Sequence, residues 1–268
     1  MNRILLLSLL LSLAVLLVGC NGPDGAVAFQ AGSPASPSPS VAVRPSDKSL
    51  NEVLERYAEA RGGHDRLTAI KTVRMKGRMD GIKGIKNAPI TIEKKREGGR
   101  YMRRLETGSI VAIQAVDSPL AWQVSPGTGI PKPQPIPEAE SRRFRHWADI
   151  EGPLVDSKAK GDQLELVGIQ KLGSGDAYRI KVQYKDGTVG FFLLDTKSFL
   201  PVEVHDFAER RGDVVEVTTV YSDFRKAGGV MWPFSERTEM PNLHQEITWQ
   251  QIEVDVPIDN ADFKMPPQ

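Results

Sequence analysis

The chain has 268 residues, 40% of them hydrophobic, and its 35 Lys and Arg residues nearly balance 34 Asp and Glu residues. This near-neutral charge argues against nucleic acid as a partner, because binding a phosphate backbone needs a strong positive excess. The single cysteine excludes a disulfide framework, so apolar burial must hold the fold together, and the chain is long enough for that.

The first 19 residues have the build of a secretory signal peptide. Arg3 precedes the apolar run Ile4–Val18, which is too short to cross a bilayer as a helix, since that takes roughly 20 residues. The run ends in Leu17-Val18-Gly19-Cys20, which resembles the bacterial lipobox. That resemblance implies cleavage before Cys20 and attachment to it of a diacylglycerol and an N-acyl chain such as palmitate. The alternative is an ordinary signal peptide followed by an incidental cysteine.

Residues 20–47 are rich in Pro, Ser, Gly and Ala. Such a segment buries too little apolar surface to fold by itself, and it is predicted to be a disordered tether between Cys20 and the globular part. Residues 48–268 show no internal repeat and no break in composition, so we predict one domain there. No cofactor is expected beyond the lipid on Cys20.

The first predicted helix begins after Ser49. Ser49 and Glu52 have the spacing of a capping box, apolar residues then recur at helical spacing, and Arg61-Gly62-Gly63 provides the end. A short second helix follows. Farther along, residues 126–137 are predicted to be a Pro-rich loop and residues 138–150 a helix.

Alternation of apolar and charged residues predicts that strands dominate the rest of the chain. The predicted strands are residues 73–79, 89–97, 100–107, 109–117, 119–124, 163–171, 178–185, 188–195, 199–208, 213–224, 230–239 and 244–256. Asp186-Gly187 predicts a tight hairpin, and a change of phase near Gln250-Gln251 predicts a bulge. About eleven short strands favour a mainly β, α+β fold. We expect one strongly curved antiparallel sheet that forms an incomplete barrel, covered or plugged by the short helices.

A predicted apolar pocket rests on the strand at 188–195, which is apolar on both faces. An antiparallel sheet usually exposes one face to water, so helices are expected to cover the other. A half-open barrel with a helical lid can hold an apolar ligand. The candidate pocket residues are Met75, Met79, Trp122, Phe192, Leu194 and Trp249. The alternative is that these residues are ordinary core.

No catalytic or metal-binding constellation stands out in the sequence. The four histidines are scattered without the spacing of zinc ligands, and they are His64, His146, His205 and His244. His205-Asp206 comes nearest to a site, although a solvated strand histidine is the favoured interpretation. Ser157 and Lys160 fit an S-x-x-K pattern, but the other motifs of that nucleophile are missing. We therefore expect neither a metal site nor an enzyme.

Charge is distributed unevenly along the chain. Residues 71–104 carry twelve Lys or Arg against three acids, whereas residues 236–268 carry seven acids against two basic residues. The basic strands could contact anionic lipid head groups. A solvated sheet face with strand edges protected by charge is the alternative that we favour.

A series of short motifs runs through roughly residues 48–266. In chain order they are Arg61-Gly62-Gly63, Leu67-Thr68-Ala69-Ile70-Lys71-Thr72, Ala148-Asp149-Ile150-Glu151-Gly152-Pro153-Leu154-Val155, Glu165-Leu166-Val167-Gly168, Ala177-Tyr178-Arg179-Ile180, Leu194-Asp195-Thr196-Lys197-Ser198-Phe199-Leu200-Pro201-Val202, Thr219-Val220-Tyr221-Ser222-Asp223-Phe224-Arg225 and Asp262-Phe263-Lys264-Met265-Pro266. This order resembles the outer-membrane lipoprotein-sorting-protein-like group of the LolA, LolB, LppX and RseB superfamily. The shared residues are structural and not catalytic.

The resemblance implies an incomplete antiparallel barrel with helices over its open side and a hydrophobic cavity inside. It implies a membrane-anchored, non-enzymatic periplasmic protein that binds a lipid, acyl chain or other hydrophobic ligand and that could serve lipid or lipoprotein transfer. The alternative is a non-catalytic interaction or envelope-stress sensor module, a companion of a periplasmic zinc protease, whose cavity is filled by its own side chains. Asn21 after Cys20 favours the outer membrane, facing the periplasm.

Overall fold

A single antiparallel sheet of fourteen strands is the frame of the described residues in a computed structural model, namely 42–81, 84–210, 213–241 and 243–267. The predicted signal peptide, Cys20 and nearly all of the predicted tether lie outside these residues. The elements in chain order are β1 (Val43–Arg44), α1 (Leu50–Arg61), α2 (His64–Ala69), β2 (Thr72–Asp80), β3 (Ala88–Lys95), β4 (Arg100–Thr107), β5 (Ile110–Asp117), β6 (Leu120–Ser125), β7 (Ile130–Pro135), α3 (Glu138–Ala148), α4 (Ser157–Lys160), β8 (Gln163–Leu172), β9 (Gly175–Gln183), β10 (Val189–Asp195), β11 (Pro201–Arg210), β12 (Asp213–Ala227), β13 (Val230–Met240) and β14 (Leu243–Val254).

The strands follow the order β1-β8-β9-β10-β11-β12-β13-β14-β2-β3-β4-β5-β6-β7. Consecutive strands pair with each other from β2 to β7 and from β8 to β14. The pairing of β14 with β2 joins the last strand of the chain to the first long one. Because β1 and β7 do not pair with each other, the sheet stays open. The expected curved, unclosed antiparallel sheet with a few short helices is confirmed, although the described residues hold fourteen strands instead of about eleven.

The first helix forms as its sequence predicts. The backbone N–H of Glu52 donates to the Ser49 hydroxyl at 3.3 Å, and the Ser49 N–H donates to the Glu52 carboxylate at 2.8 Å, which completes the capping box. At the other end Gly62 takes a φ of 121°, where an added Cβ would collide with the carbonyl oxygen of Gly229. Glycine is therefore required at this end of the helix.

Two strands were absent from the sequence prediction. Residues 126–137 were expected to be a loop, which is wrong, because Ile130–Pro135 form β7 and pair with β6. Prolines usually break strands, but at the edge of a sheet the missing N–H faces away from the neighbour and costs no ladder bond. Val43–Arg44, inside the segment expected to be a tether, pair with β8 at the opposite edge.

Smaller features of the strands agree with their sequence. The register between β14 and β2 shifts between Trp249 and Gln251, which places a bulge where the apolar phase changes. The turn at Asp186-Gly187 joins β9 to β10, with Gly187 at a φ of 85°. Helix α3 ends at Ala148, two residues before its predicted end.

The main core lies on the concave side of the sheet, where α1 and α2 pack. Val53 and Tyr57 of α1 and Leu67 of α2 are buried against strands of both halves of the sheet. A second buried cluster joins α3 to β4, β5 and β6, and it consists of Tyr101, Val116, Ala121, Ile136, Phe144 and Ala148. None of the helices in the described part of the chain combines the length and the apolar content that crossing a membrane requires.

Both faces of β10 are buried, and side chains of other strands contribute to the burial of each face. Phe192 and Leu194 join the main core on the concave side. On the other face Leu193 is fully buried, and the Arg179 guanidinium of β9 lies 3.9 Å from the centre of the Phe191 ring. Side chains of neighbouring strands therefore bury the convex side of β10, whereas the sequence analysis expected helices to cover the second face of this strand.

Candidate functional site

A cavity of about 450 Å³ lies between the concave face of the sheet and α3. This volume is within the range of small-molecule binding sites. The apolar part of its lining is Met75, Ile92, Ile136, Phe144, Trp147, Ala208, Val215, Met240, Leu243 and Ile247. The polar part is Lys94, Tyr101, Arg103, Gln114, Gln123, Glu140, Arg143, Asp206, Thr219, Tyr221, Glu236, Thr238 and Gln245. The cavity is thus amphipathic and not uniformly apolar.

A side chamber of about 180 Å³ lies next to this cavity, toward α1 and the segment after α3. The two chambers share walls at Met75, Lys94, Trp147, Tyr221 and Glu236, among others. Phe192 and Trp232 add apolar surface to the side chamber. The two chambers are therefore neighbours, with the shared polar residues between them.

Helix α3 forms the lid of the cavity. It bridges the open side of the sheet, because it contacts β4, β5 and β6 on one side and β11 on the other. The Trp147 ring lies 5.3 Å from that of Phe144 and 5.8 Å from that of Tyr101, measured between ring centres. Beyond this cluster His146 stacks on Tyr184 at 3.7 Å and bonds to Asp186 at 2.9 Å. These contacts hold the C-terminal half of α3 to β4 on one side and to the turn between β9 and β10 on the other.

Basic side chains reach the cavity from β3, β4 and α3. One Nη of Arg103 donates to the Gln245 side-chain oxygen at 2.7 Å, and the Arg143 guanidinium lies over the Trp147 ring at 4.5 Å. Lys94 has no hydrogen bond or ion pair to any described residue, and burial lowers its pKa. The cavity thus holds a cationic side chain whose polar contacts must come from water or a ligand.

Acidic and phenolic groups reach the cavity from β11, β12 and β13. The Glu236 carboxylate accepts a hydrogen bond from Trp249 Nε1 at 2.7 Å, and burial raises the pKa of both Glu236 and Asp206. Burial also raises the pKa of Tyr221 well above its usual value. Burial thus disfavours the charged form of each group, and the uncharged forms can both donate and accept hydrogen bonds.

The six residues proposed for the pocket fall into three groups. Met75 and Phe192 line the cavity or its side chamber. Met79, Leu194 and Trp249 are buried in the core beneath it, and Trp249 acts on the cavity only through its bond to Glu236.

Trp122 does not line this cavity. It pairs with Ala115 on the convex face, and its Nε1 donates to the carbonyl of Phe263 at 2.7 Å. The C-terminal segment covers it there, so its burial does not come from the concave side. A buried tryptophan on an alternating strand marks a covered face, and the sequence did not specify which face that was.

His205 is not a solvated strand histidine as the sequence suggested. Its side chain is only 14% exposed, and its two ring nitrogens lie 2.6 Å from carboxylate oxygens of Glu203 and Glu216. The cluster sits on the convex face, away from the cavity. Among the described residues no group of His, Cys, Asp or Glu is arranged to hold a metal ion.

Lys160 of the S-x-x-K pattern serves a structural ion-pair network. Its ammonium contacts Asp149 at 2.7 Å and Glu151 at 3.1 Å, and Arg96 contacts Glu151 at 2.7 Å. These bonds fix the chain after α3 to the end of α2. They also pair the charges of Asp149 and Glu151, two of the four carboxylates that line the side chamber.

The basic stretch 71–104 does not form one continuous cationic surface. On the convex face Arg74 pairs with Glu93 at 2.6 Å, and Arg100 pairs with Asp117 at 2.7 Å. Lys94 and Arg103 point the other way, into the cavity. Part of the basic excess is therefore neutralised on the surface, and part of it supplies the interior.

A wider groove of about 600 Å³ lies between the start of β2 and the C-terminal segment. Most of its charged groups already have partners within the protein. Lys95 donates to the Asn260 side chain at 2.6 Å, and Asp255 accepts from the Lys71 N–H at 2.8 Å and contacts Arg66 at 3.2 Å. The groove is therefore a weaker candidate for a ligand than the cavity beneath α3.

No family model matches the chain, and no curated protein matches it. Several solved structures share its fold. A putative outer membrane lipoprotein-sorting protein domain from Vibrio parahaemolyticus has a TM-score of 0.55 at 11% identity, covering 80% of this chain and 97% of the other. A DUF1329 family protein from Desulfovibrio piger has the same TM-score, identity and coverage. A LolA superfamily protein from Nitrosomonas europaea has a TM-score of 0.51 at 14% identity, covering 81% of this chain and 98% of the other.

The chain therefore has a LolA-like fold, as its motifs suggested. At identities of 11–14% the similarity establishes the architecture and does not transfer a ligand or a partner. Function has to be argued from the cavity of this chain.

Proposed function

We propose that the protein is a lipid-anchored protein of the bacterial envelope whose half-barrel binds an amphipathic ligand with an acyl chain in the cavity beneath α3. The fold, the cavity volume and the mixed lining support this role. Burial of each methylene would contribute about 0.8 kcal/mol, so even a chain of moderate length gains enough to bind.

The observation that carries the proposal is the open space of about 450 Å³ inside the curve of the sheet. A protein-interaction or sensor module, the alternative, was expected to fill this space with its own side chains. Here Met75, Ile92 and Ile247 instead line space that a ligand can occupy. The cavity favours a carrier over a module.

The cavity supports binding more than catalysis. Its two threonine hydroxyls, of Thr219 and Thr238, lie 3.1 Å apart and bond to each other, not to a general base. Nucleophilic catalysis would need a hydroxyl within reach of such a base. We propose that these polar groups orient a ligand and are not consumed in a reaction.

Anchoring through Cys20 belongs to the same proposal. A lipid on Cys20 followed by a Pro- and Ser-rich tether would hold the cavity near a membrane and let it turn toward a cargo source. This arrangement suits a receiving or exchanging role at the outer membrane, facing the periplasm. The partners would be the membrane, an acyl-chain ligand and an envelope protein that delivers or accepts it.

Native mass spectrometry of the protein after gentle extraction from its membrane tests the binding role. We expect a non-covalent mass in addition to the polypeptide and its attached lipid. Thr219→Trp should abolish this mass, because Thr219 lines the cavity and indole would fill it. Thr218→Trp is the matched control, since Thr218 pairs with His205 on the opposite face. A wild-type protein without bound mass, and without affinity for added fatty acids, would refute the carrier role.

A further inference from the structure

Lys94 occupies an unusual position for a lysine on an alternating strand. It follows Ile90 and Ile92 in phase on the concave side, it pairs with Tyr101, and it lines both chambers. The described residues offer it neither an ion pair nor a hydrogen bond. A cation shielded from bulk water is costly unless a counter-charge or hydrogen-bond acceptor compensates it.

The nearby carboxylates Asp149, Glu151 and Glu236 act on Lys94 only through space, because none of them forms an ion pair with it among the described residues. Asp149 and Glu151 contact Lys160 and Arg96 at 2.7 Å each. Glu236 accepts its hydrogen bond from Trp249 and makes no ion pair within the described residues. Lys94 is therefore left to compensate its charge from within the cavity.

The charged side chains that the sheet contributes to the lining are sorted by sign, whereas α3 contributes one of each, Glu140 and Arg143. Lys94 and Arg103 occupy neighbouring strands, β3 and β4, while Asp206 and Glu236 occupy β11 and β13 on the far wall. Burial raises the pKa of both acids and lowers that of Lys94, so a charge on either wall gains from a partner in the cavity. The basic wall is the one suited to a full opposite charge, and the acidic wall is suited to hydroxyl groups.

From this arrangement we propose that the cavity selects acidic amphiphiles, whose carboxylate or phosphate binds Lys94 while the acyl chain lies along Met75, Ile92 and Trp147. The inference rests on the proposed function and adds to it the class of ligand. The Arg103 guanidinium, one strand away, provides a second cation for the same group. A phosphate could engage both cations, and a carboxylate needs only one of them.

Four ligands with the same twelve-carbon chain and different head groups measure how much the head group contributes to the affinity. They are dodecanoate, dodecyl phosphate, dodecanol and dodecylammonium, each measured by displacement of the neutral probe N-phenyl-1-naphthylamine from the full chain carrying Cys20→Ser. We expect the two anions to bind about tenfold or more tightly than dodecanol, the size of a charge-assisted hydrogen bond in a shielded site. Dodecylammonium should bind most weakly.

Lys94→Met should remove the preference for anions while leaving dodecanol binding within about threefold of the wild-type value. Lys76→Met is the matched control. It removes the same charge from the convex face of the adjacent strand, where Lys76 is exposed, and it should leave all four affinities unchanged. Circular dichroism confirms that both variants are folded.

The outcomes separate the two proposals. A wild-type protein that binds neither the probe nor any of the four ligands refutes the carrier role itself. One that binds all four equally, or prefers dodecylammonium, keeps the carrier role and overturns the selection of acidic amphiphiles. Equal loss of every ligand in Lys94→Met also overturns it, because Lys94 would then only shape the cavity. The wild-type comparison remains decisive even if Lys94→Met fails to fold.

Discussion

At the scale of single residues, His205 links stability to pH. Burial by itself would lower its pKa, but the hydrogen bonds that the ring donates to the Glu203 and Glu216 carboxylates outweigh burial and raise it. A raised folded-state pKa means that this stabilisation is complete below the unfolded value of about 6.5 and is lost as pH rises through the folded value. We expect the free energy of unfolding to fall by about 1 kcal/mol or less over that range, because solvent screens this partly exposed cluster.

Urea unfolding between pH 6 and 8.5 measures the effect. His205→Gln should remove this part of the pH dependence, whereas His244→Gln, at an exposed position, should keep it. An unchanged pH slope in His205→Gln would show that the two carboxylates do not favour the protonated ring.

Gly77 illustrates a purely steric requirement in the core. A Cβ at this position would collide with the carbonyl oxygen of Thr248 and lie 2.9 Å from Cε3 of Trp249. Because Trp249 also orients Glu236, Gly77→Ala would displace both the core and a wall of the cavity. We expect a loss of about 1–3 kcal/mol in the free energy of unfolding, typical of overpacking.

Gly173→Ala is the control for this substitution, since nothing lies within 4 Å of the Cβ that it would add. Its midpoint of chemical unfolding should stay at the wild-type value. Equal stability of both variants would mean that β2 and β14 can separate at no cost, contrary to the close approach described above.

The charged residues of the cavity can be recognised in the sequence by their positions on the strands. Asp206 stands in phase between Val204 and Ala208, and Glu236 follows Phe234 in the same phase, just as Lys94 follows Ile92. A charge that replaces an apolar residue on a buried face indicates an interior site. Strand alternation was interpreted as a dry face and a wet face, so these charges were assigned to water.

At the scale of secondary-structure elements, a helix or strand could be predicted where its own sequence contains the residues that define it. Helix α1 carries its own start and stop signals in Ser49, Glu52 and Gly62, so its bounds follow from sequence. The prolines of β7 led to the prediction of a loop. This segment is a strand because the edge of a sheet tolerates proline. The convex side of β6 could not be assigned, because Trp122 is buried by Phe263, which lies 141 residues farther along the chain.

Helix α3 should behave as a lid held by a small aromatic core. Phe144 is buried among Tyr101, Trp147 and Val116. Phe144→Ala should cost about 3 kcal/mol, and the loss should appear first as local opening of α3. Hydrogen exchange of residues 138–148 should accelerate tenfold or more, while the amides of β2 and β14 keep their protection.

Phe224→Ala is the comparison for the lid, because Phe224 is half-buried on β12 and does not line the cavity. It should leave exchange in α3 unchanged. Uniform acceleration throughout the sheet in Phe144→Ala would indicate that the helix and the sheet unfold as one unit and that α3 is no separate lid.

At the scale of the molecule, the order of strands explains why an open sheet can enclose a cavity. The β14–β2 pairing places the acidic C-terminal strands beside the basic N-terminal ones. The uneven distribution of charge along the sequence thus places basic and acidic side chains on different walls of the cavity. Sequence alone predicted the curved sheet and its helices, but it could not predict this chamber, which depends on pairings between strands far apart in the chain.

The central claim is that this chamber holds an acyl chain, and a crystal structure with 12-bromododecanoate tests it most directly. The bromine gives an anomalous signal that marks the end of the chain independently of the protein model. We expect one bromine peak inside the cavity walled by Met75, Ile92 and Trp147, with the carboxylate at Lys94. Bromine found only on the convex face, or a cavity that holds only water under saturating ligand, would contradict it.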